Sequence, residues 1–378
     1  MTAARSSWRW SADIAPATAL IVVTRRIGDV LLATPLVRSL KRAWPHTAID
    51  ALVFAGTEAI IAANPDLRRV HTIAERAPRS QHLAFIASIA RRYDLALSLV
   101  PSDRPTGYAF VAGRSRAGLL LDTPTERWKR LLLDRWQPFD PLNTHTVRMH
   151  LALASFMGIP LHADPVVSWT DDDSAQAEGM VDGRVARYAV LHPYPKFNYK
   201  MWVAESWMEI ASWLTARGYR IVLTGGPEPA EVGYVSALAS RMSGDVANAA
   251  GRLTLGASLC LVSRAALYVG PDTALTHAAA ALGVPTIALY GPTDPVKWGP
   301  WPRGHDAHMN PWRRYGTQRT GNVTLVQGVS PCVPCLDEGC EKNTSSFSDC
   351  LQQLPSSRVI RAMEGAHALP TQSTSAAA

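Results

Sequence analysis

The chain has 378 residues, of which 47% are hydrophobic and 18% charged, with a formal net charge of +7 and a sequence pI near 9.3. This composition is typical of a folded globular chain long enough for two domains, and no apolar run is long enough to predict a transmembrane helix. The basic excess indicates an anionic partner. We expect that partner not to be a nucleic acid, because no recognised nucleic-acid-binding module accompanies the charge.

Residues 1–17 are predicted to form an N-terminal extension, because they include polar and basic side chains and lack an apolar core. The apolar run that follows, Ala19–Thr24, is too short for the hydrophobic region of a signal peptide and is predicted to be the first strand. We therefore expect a cytoplasmic protein whose first domain spans residues 18–170.

A turn and a helix follow the first strand. Gly28 permits a tight turn, and the apolar spacing predicts a helix over Val30–Ala43. Asp29 then lies at the carboxyl end of the strand, where open α/β sheets bind their ligands. A helix N-cap without chemistry is the structural alternative for Asp29. The unperturbed pKa of an aspartate is about 3.9, and the helix N-terminus is expected to keep this carboxyl ionised and available as a weak base at neutral pH.

The rest of the first half alternates strand and helix patterns, which is typical of a parallel sheet covered by helices on both faces. The glycines and arginines of Gly113–Gly118 predict a turn. The predicted strands are Ala48–Phe54, Val70–Ile73 and Asp94–Val100, and the predicted helices are Thr57–Ala63, Gln81–Arg92 and Thr146–Met157.

A basic patch interleaved with two tryptophans lies in the first half of the chain. It indicates either a solvated surface with packed tryptophans, or contact with a phosphorylated acceptor or an anionic membrane face. We favour contact with an anion. The members of the patch are Arg114, Arg116, Arg127, Trp128, Lys129, Arg130, Arg135 and Trp136.

Residues 171–186 are polar and acidic without an apolar period, and they are predicted to link the two domains. A second alternating series occupies residues 187–364, and residues 365–378 are predicted to be a disordered tail. The second domain's predicted strands are Tyr188–His192, Arg220–Thr224, Asp245–Asn248, Ala266–Val269 and Thr286–Tyr290, and its predicted helices are Val203–Arg217, Pro229–Met242, Leu255–Ser263 and Ala274–Leu282.

Two loops of the second domain carry candidate ligand-binding residues. Lys200 lies on a loop after the domain's first strand, where a lysine either neutralises a phosphate or is simply exposed. Gly225 and Gly226 let a ligand approach the backbone, and Glu228 or Glu231 just beyond can accept from ribose hydroxyls, although such glycines also mark ordinary turns. The absence of a G-x-G-x-x-G or Walker A sequence argues against a dinucleotide oxidoreductase and a P-loop NTPase.

The segment Leu267–Trp301 is the most informative part of the chain. A strand, a Gly-Pro-Asp-Thr turn and a small-residue helix place Asp272, Thr273 and Ala274 at a helix N-terminus, where unpaired N–H groups and the helix dipole favour a phosphate. His277 lies one turn further along. An ordinary unit with Asp272 as N-cap fits the same residues. Because the turn after the chain's first strand also presents a carboxylate, two α/β domains are predicted to face each other across a cleft.

The chain contains the motifs IVVTRRIGDVLLATP, LHP, KMW, LTGGPEPAE, VGPDTALTHAAAALGVPTIALYGPTDP and WGPW, in that order. From about Leu20 to Val359 it thereby resembles the family 9 glycosyltransferases, the ADP-heptose:lipopolysaccharide heptosyltransferases, and most resembles the heptosyltransferase III branch. The resemblance implies an α/β GT-B fold, in which two Rossmann-like domains face each other across a cleft. The N-terminal domain would bind the acceptor and the C-terminal domain the nucleotide-sugar.

The same resemblance implies an inverting transfer that requires no metal. The donor would be ADP-heptose and the acceptor an anionic lipopolysaccharide core, and the protein would be peripheral on the cytoplasmic face of the inner membrane. Three alternatives stay open: another acceptor, such as a protein or a different glycan; another nucleotide-sugar; and a non-catalytic nucleotide-sugar-binding protein.

Matching positions imply roles for individual residues. Asp29 would be the general base that takes the proton of the acceptor hydroxyl. Lys200 would bind the donor phosphates, as would the turn of residues 272–274, and His277 would lie close to the same pyrophosphate. Asp29 and Lys200 are therefore the implied catalytic residues.

The remaining implied contacts concern the nucleoside and the acceptor. Glu231, or alternatively Glu228, would meet the ribose beside Gly225 and Gly226, and Leu253 falls where the family's backbone contacts the adenine. The predicted acceptor-binding residues are Thr24, Arg25, Arg26, Arg114 and Arg116.

Four cysteines, Cys332, Cys335, Cys340 and Cys350, lie within the cysteine-rich segment of residues 331–350. In a cytosolic protein such a group is more often metal-binding or reduced than disulfide-bonded, and four thiolates can hold zinc or iron. Relatives of the resembled family carry a similar segment, in some with bound iron. The cluster is thus a candidate structural Zn or Fe site outside the catalytic centre, with free thiols as the alternative.

Overall fold

The computed structural model describes residues 8–181 and 187–367. Six strands of the first half form one sheet: β1 (Thr18–Val22), β2 (Ala48–Phe54), β3 (Arg69–Ile73), β4 (Tyr93–Ser98), β5 (Gly113–Leu120) and β6 (Arg135–Pro138). All neighbours pair in parallel, in the order β3-β2-β1-β4-β5-β6. This is the strand order of a Rossmann sheet.

A second sheet occupies the second half and comprises β7 (Tyr188–Leu191), β8 (Arg220–Leu223), β9 (Val246–Asn248), β10 (Leu267–Pro271), β11 (Thr286–Tyr290), β12 (Gln318–Thr320) and β13 (Val323–Gln327). Its order is β12-β13-β11-β10-β7-β8-β9, and only the edge strand β12 is antiparallel to its neighbour. Without β12, the order repeats that of the first sheet. The predicted α/β class with two Rossmann-like domains is therefore confirmed.

Helices cover both sheets, and none in the two described ranges is long and apolar enough to cross a membrane. In the first half they are α1 (Ile27–Leu31), α2 (Thr34–Ala43), α3 (Arg79–Ile89), α4 (Asp103–Ala112), α5 (Thr146–Ser155) and α6 (Asp171–Met180). In the second half they are α7 (Ala204–Thr215), α8 (Pro229–Arg241), α9 (Leu255–Ser263), α10 (Ala274–Ala281), α11 (Pro295–Trp298), α12 (Asp349–Gln352) and α13 (Ser356–His367). Short 3₁₀ helices span Glu58–Ile60, Pro124–Leu131 and Asn198–Lys200.

The helix predicted over Val30–Ala43 is two helices, α1 and α2. Pro35 has no N–H group to donate to the carbonyl of Leu31, so the regular hydrogen-bond ladder stops there. The hydroxyl of Thr34 donates to the Leu31 carbonyl instead, at 2.7 Å. The break separates the turn that carries Asp29 from the longer helix behind it.

The prediction of a turn over Gly113–Gly118 was wrong, because these residues belong to β5. A Cβ on Gly113 would lie 2.7 Å from the Cβ of Ala96, and one on Gly118 would lie 3.1 Å from the Cβ of Ser98. These glycines therefore allow β4 and β5 to approach closely, which is a second common use of glycine inside a strand.

The predicted interdomain linker, residues 171–186, contains a helix. Thr170 and Asp173 form a reciprocal capping box at the start of α6, and α6 packs against α9 of the second half. The acidic first turn that resembles a loop in sequence is therefore a helix start. Residues 182–186 lie outside the described residues. Of the predicted disordered tail, residues 365–367 are the end of α13, and residues 368–378 lie outside the described residues.

The two halves pack directly on each other. Helix α1 contacts α10, and one apolar cluster contains Ile21 and Leu31 from the first half together with Leu259 and Leu275 from the second. The carboxyl edges of the two sheets are thereby brought together, which is where both candidate turns lie.

A second contact joins the halves further along the chain. Trp301 is fully buried against Val147 of α5, and His145 Nε2 donates to the carbonyl oxygen of Gly299 at 2.7 Å. The other ring nitrogen, Nδ1, accepts the N–H of Val147 at 3.2 Å. Burial lowers the pKa of His145 to about 3, so the ring is neutral and has the one donor and one acceptor that these two bonds require.

Candidate active site

The turn after β1 places a nearly buried carboxylate at the carboxyl edge of the first sheet. Asp29 is the third residue of α1, its side chain is 13% exposed, and its Oδ1 lies 3.9 Å from Nε of Arg25. Burial raises the pKa of Asp29, and this effect exceeds the opposing attraction of Arg25 and His277. The sequence does not reveal this shift, in which burial outweighs the charges and the backbone hydrogen bond around the carboxyl. A raised pKa makes Asp29 a stronger base than an exposed carboxylate.

The turn after β10 buries a second carboxylate, that of Asp272. Its Oδ2 lies 2.5 Å from Nζ of Lys200 and accepts the hydroxyl of Thr293 at 2.9 Å, while its Oδ1 accepts the hydroxyl of Tyr290 at 3.2 Å. Although burial opposes them, Lys200 and His277 hold the pKa of Asp272 well below its usual range. Asp272 is thus an ionised group inside a polar network.

Asp272 is not the N-cap of α10, which was one of the two sequence interpretations. Thr273 is the N-cap, and its hydroxyl accepts the N–H of Thr276 at 3.5 Å. The Asp272 side chain turns away toward Lys200 instead, because the buried ammonium needs a counter-charge. The helix therefore begins at Ala274 with its first N–H groups at the domain interface.

Lys200 lies at the end of a short 3₁₀ helix and reaches the turn before α10. Its ammonium contacts both the carboxylate and, at 3.3 Å, the backbone carbonyl of Asp272. Burial alone would lower the pKa of Lys200, but the Asp272 carboxylate outweighs it and raises the pKa. The ammonium is therefore charged and sits beside the helix start that the sequence predicts to bind phosphate.

His277 connects the two turns across the domain interface. Its Nε2 lies 3.4 Å from Oδ1 of Asp272, and its Nδ1 is buried without a hydrogen-bond partner among the described residues. A Cβ on Gly28 would lie 3.3 Å from Cδ2 of His277, so glycine at this position allows α1 to approach α10. The charges of His277 and Lys200 both act on the Asp29 carboxyl. The structure thus brings Asp29, Lys200, Asp272 and His277 together.

The glycine turn after β8 surrounds a third carboxylate, that of Glu231. It accepts a hydrogen bond from the backbone N–H of Gly226, and burial raises its pKa. A Cβ on Gly226 would lie 2.8 Å from Oε2 of Glu231, and one on Gly225 would lie 3.1 Å from its Cγ, so both positions need glycine for this approach. Glu228 is the exposed residue before α8 and makes no side-chain cap. Of the two ribose candidates, Glu231 is the one held in a fixed position.

Leu253 is partly buried at the edge of the apolar cluster that both halves share. It precedes α9, and Thr254 caps that helix by accepting the N–H of Ala257 at 3.0 Å. The loop of residues 249–254 therefore follows β9 at the same carboxyl edge as Gly226 and Asp272.

Three of the five predicted acceptor residues lie at the carboxyl edge beside Asp29. Thr24 is buried, and its hydroxyl has no hydrogen-bond partner in the described part of the chain. Arg25 and Arg26 are exposed, and the guanidinium of Arg26 lies 5.7 Å from the ring centroid of Phe197 in the second half.

The structure does not bring Arg114 and Arg116 to this edge. Arg114 lies at the amino end of β5 and is paired with Asp94 at 3.0 Å, on the opposite edge of the sheet from the candidate site. Arg116 lies within β5 and is paired with Asp134 at 3.2 Å. The sequence interpretation placed them in a turn, and their assignment to a strand removes them from the candidate acceptor surface.

Sequence analysis missed Lys297, a lysine that is only 3% exposed. It lies in α11 of the second half, and its Nζ donates to the backbone carbonyl of Asp140 in the first half at 2.7 Å, above the ring of Phe139. Burial lowers the pKa of Lys297 to about 8, and the charges of Asp140 and Asp29 act in the opposite direction. The signal was present: a lone lysine between Val296 and Trp298, one turn after an Asp-Pro helix start.

Part of the cysteine cluster packs against the residues that follow β11 and β13: a Cβ on Gly291 would lie 3.1 Å from Sγ of Cys350. Burial raises the pKa of Cys350 to about 12, with contributions from the neighbouring thiols of Cys335, Cys332 and Cys340. The sulfur donors fit zinc or iron in chemistry, yet in residues 8–181 and 187–367 no three His, Cys, Asp or Glu side chains converge as a ligand set. All four cysteines are free of disulfides. A structural metal at this cluster stays a prediction.

Two Rossmann-like sheets whose carboxyl edges meet at Asp29, Lys200 and a helix N-terminus give the two-domain architecture of the GT-B class. The family model described as "Glycosyltransferase family 9 (heptosyltransferase)" matches residues 85–322, which is more than half of the chain. The chain belongs to glycosyltransferase family 9, as its motifs predict, and it is a glycosyltransferase enzyme.

Individual relatives agree with this assignment. Lipopolysaccharide heptosyltransferase 3 of Escherichia coli strain K12 is 26% identical over 302 residues, covering 72% of this chain and 82% of that protein. The structure of E. coli ADP-heptose lps heptosyltransferase II superposes with a TM-score of 0.69 at 19% identity, covering 92% of this chain and 98% of that one. E. coli heptosyltransferase WaaC with ADP-2-deoxy-2-fluoro heptose gives a TM-score of 0.69 at 22% identity, covering 92% and 99%. The GT-B fold is thereby confirmed.

Proposed function

We propose that this protein transfers heptose from ADP-heptose to the inner core of lipopolysaccharide with inversion at the anomeric carbon. One observation carries the proposal: Asp29 of the first half faces Lys200 and His277 of the second half, at the contact between α1 and α10. The names of the relatives supply the sugar, the nucleotide and the acceptor class.

The proposed chemistry is a single displacement. A hydroxyl oxygen of the acceptor attacks the anomeric carbon while its proton passes to the Asp29 carboxylate. The bond between the anomeric carbon and the diphosphate oxygen breaks, and its electron pair leaves with ADP. The Lys200 ammonium and the first N–H groups of α10 stabilise this growing negative charge more in the transition state than in the ground state. In this proposal, Lys200 and the helix N-terminus stabilise the leaving diphosphate and Asp29 takes the proton, so the transfer does not require a metal ion.

The donor is proposed to lie along the carboxyl edge of the second sheet. Its pyrophosphate binds at residues 272–274 beside Lys200, with the unpartnered Nδ1 of His277 as a further polar contact. Its ribose hydroxyls donate to Glu231 at the Gly225-Gly226 turn, and its adenine meets the backbone near Leu253.

The acceptor is proposed to approach from the carboxyl edge of the first sheet. Thr24, Arg25 and Arg26 surround Asp29 there, and the two guanidinium groups suit the phosphates of an anionic core. Because such an acceptor is carried by a lipid, we place the enzyme in the cytoplasm, peripheral on the inner membrane. Arg114 and Arg116 are not part of this proposal.

Product analysis with defined substrates tests the function. The full-length protein is incubated with ADP-heptose and a heptose-deficient lipopolysaccharide core, and mass spectrometry detects a mass increase of one heptose. A protein acceptor and a UDP-sugar donor are run in parallel, with Asp29→Asn as the control. Transfer to the protein acceptor alone, or from the UDP-sugar alone, would replace the proposed substrate. If the protein binds ADP-heptose but transfers heptose to none of the acceptors, it is a non-catalytic nucleotide-sugar-binding protein.

A further inference from the structure

An apolar ridge lies at the carboxyl edge of the first sheet, on the 3₁₀ helix Pro124–Leu131 that follows β5. Residues three apart eclipse one another in a 3₁₀ helix, so Trp128 and Leu131 share one face. The Trp128 side chain is 50% exposed and that of Leu131 is 81% exposed. Two large apolar side chains on one turn therefore face solvent together.

The opposite face of the same helix is fixed to the protein. Lys129 is almost fully buried, and its Nζ pairs with Oδ1 of Asp103 at 2.7 Å and with the carboxylate of Glu126. Asp103 begins α4, which follows β4 at the same edge of the sheet. The inward ion pairs hold the helix so that Trp128 and Leu131 point outward.

Exposed guanidinium groups flank this ridge along the carboxyl edge. The acidic groups nearby are engaged by other cations: Glu75 pairs with Arg26, and Asp122 pairs with Arg130. The edge is therefore cationic. Beyond Arg25 and Arg26, which pair with Asp29 and Glu75, the edge has exposed arginines without a carboxylate partner among the described residues: Arg76, Arg79, Arg104 and Arg127.

We infer that the ridge of Trp128 and Leu131, with Arg127 beside it, docks on an anionic phospholipid bilayer. The arginines complement lipid phosphates, and the two apolar side chains enter the boundary between headgroups and acyl chains, where tryptophan partitions favourably. A soluble phosphosugar would satisfy the arginines but would leave Trp128 and Leu131 in water, so the bilayer is the partner that matches both. This inference rests on the proposed function, in which the acceptor is carried by a lipid.

Docking at this ridge has a consequence for catalysis. The ridge and Asp29 lie at the same edge of one sheet, because both follow the carboxyl ends of its parallel strands. A bilayer bound at the ridge would therefore present lipid-borne hydroxyls on the side of the molecule where the proposed base lies.

Vesicle flotation of the full-length protein tests the inference without requiring turnover. Vesicles of phosphatidylethanolamine and phosphatidylglycerol are compared with vesicles of phosphatidylcholine alone. We expect the wild type to float with the anionic vesicles, and the variant Trp128→Ala/Leu131→Ala to lose about tenfold or more of that binding. Arg127→Ala should weaken binding less and make it less sensitive to salt. The matched control Met309→Ala/Tyr315→Ala, which removes two exposed apolar side chains from the second half, should float like the wild type.

Each outcome has a definite meaning. Equal flotation of the wild type and the ridge variant, or no flotation of the wild type, would overturn the inference. If the ridge variant instead loses affinity for a soluble, deacylated core while flotation is unchanged, the surface is an acceptor site and not a membrane site. If the wild type floats, the ridge variant does not, and the wild type transfers no heptose, the docking surface is supported and the proposed function is refuted.

Discussion

Lys297 of the second half donates to the backbone carbonyl of Asp140 in the first half, with 2.7 Å between its Nζ and the carbonyl oxygen. The backbone carbonyl of Lys297 in turn accepts the hydroxyl of Thr146 at 3.0 Å. One residue thus ties α11 to the loop before α5, close enough to the candidate site for Asp29 to affect its charge. A buried ammonium that donates to a neutral backbone carbonyl keeps part of its desolvation cost.

The desolvation cost of Lys297 can be tested by comparing the pH dependence of stability in the wild type and in the variant Lys297→Met. Burial lowers the pKa of Lys297 to about 8 from 10.5, so between these values the unfolded chain binds more protons than the folded one. The free energy of unfolding of the wild type should therefore rise relative to the variant by about 2 kcal/mol between pH 7.5 and pH 9.5. Urea denaturation at pH 7.5 and 9.5 measures the difference.

The control for this comparison is Lys41→Met. Lys41 also donates to a backbone carbonyl, that of Thr47 at 3.0 Å, but it lies at the surface of α2. Its substitution should give the same difference from the wild type at both pH values. If Lys297→Met also behaves in this way, the ammonium of Lys297 is not held in a desolvated position.

Asp29→Asn should separate activity from stability. Removing the proposed base should lower kcat by about 10²–10⁴-fold while ADP-heptose still binds. Because burial raises the pKa of Asp29, its ionisation at neutral pH opposes folding, so the neutral variant should have a higher Tm than the wild type at pH 7.5. Steady-state kinetics and thermal denaturation measure the two effects.

The pH profile of the wild type gives a further check on Asp29. The base must be unprotonated, so kcat should fall with decreasing pH at a pH above the usual range for carboxylates. Asp13→Asn removes an exposed carboxylate from the N-terminal segment and should change neither activity nor Tm. Full activity of Asp29→Asn would exclude the proposed role.

Asp272 and Lys200 should behave as a coupled pair in stability. Asp272→Asn leaves the partly buried Lys200 ammonium without its counter-charge and should cost about 2–3 kcal/mol in the free energy of unfolding. Lys200→Met should also destabilise, and the double variant should cost less than the sum by about 1 kcal/mol or more. Urea denaturation of the four proteins at pH 7.5 gives the cycle. Additive costs would mean that the 2.5 Å contact contributes no coupling.

Stability of this pair should be insensitive to mild acid. Although burial opposes them, Lys200 and His277 hold the pKa of Asp272 well below its usual range. A depressed carboxyl pKa contributes stability that is present above the unfolded-state value and is lost only as pH falls through the folded-state value. In a His277→Ala background, where no imidazole faces this carboxyl, the cost of Asp272→Asn should therefore be the same at pH 5.5 and pH 7.5.

The sequence correctly predicts those parts of the candidate site that a local pattern and the fold class determine together. Strand-turn-helix signals locate Asp29 and Asp272, and parallel α/β topology brings such turns to one edge. The sequence does not reveal that Asp272 is a buried counter-ion and Thr273 the cap. That choice depends on Lys200, which is distant in sequence and reaches the turn only after both strands have joined the sheet.

Two other differences have the same origin. Gly113 and Gly118 predict a turn locally, but the close approach of β4 makes them strand residues, and this in turn moves Arg114 away from the candidate site. Lys297 is buried by a loop more than 150 residues earlier in the chain, since its Nζ partner is Asp140. Contacts between distant segments decide these positions, and no short pattern encodes them.

Glu231→Gln should weaken donor binding through the nucleoside alone. Glu231 is held beside Gly226 by a backbone hydrogen bond, whereas Glu228 is exposed at the start of α8. Loss of a charged acceptor for ribose hydroxyls should reduce the affinity for ADP by about tenfold or more, while inorganic pyrophosphate should bind as in the wild type. Calorimetric titration measures both ligands.

Glu228→Gln is the matched control, because it makes the same chemical change three residues earlier and should leave the affinity for ADP unchanged. If Glu228→Gln weakens ADP binding and Glu231→Gln does not, the ribose lies on the exposed side of the turn. If Glu231→Gln weakens pyrophosphate to the same extent as ADP, Glu231 acts by holding the Gly225-Gly226 turn rather than by contacting the ribose, since only a change in the turn itself would reach a ligand that has no nucleoside.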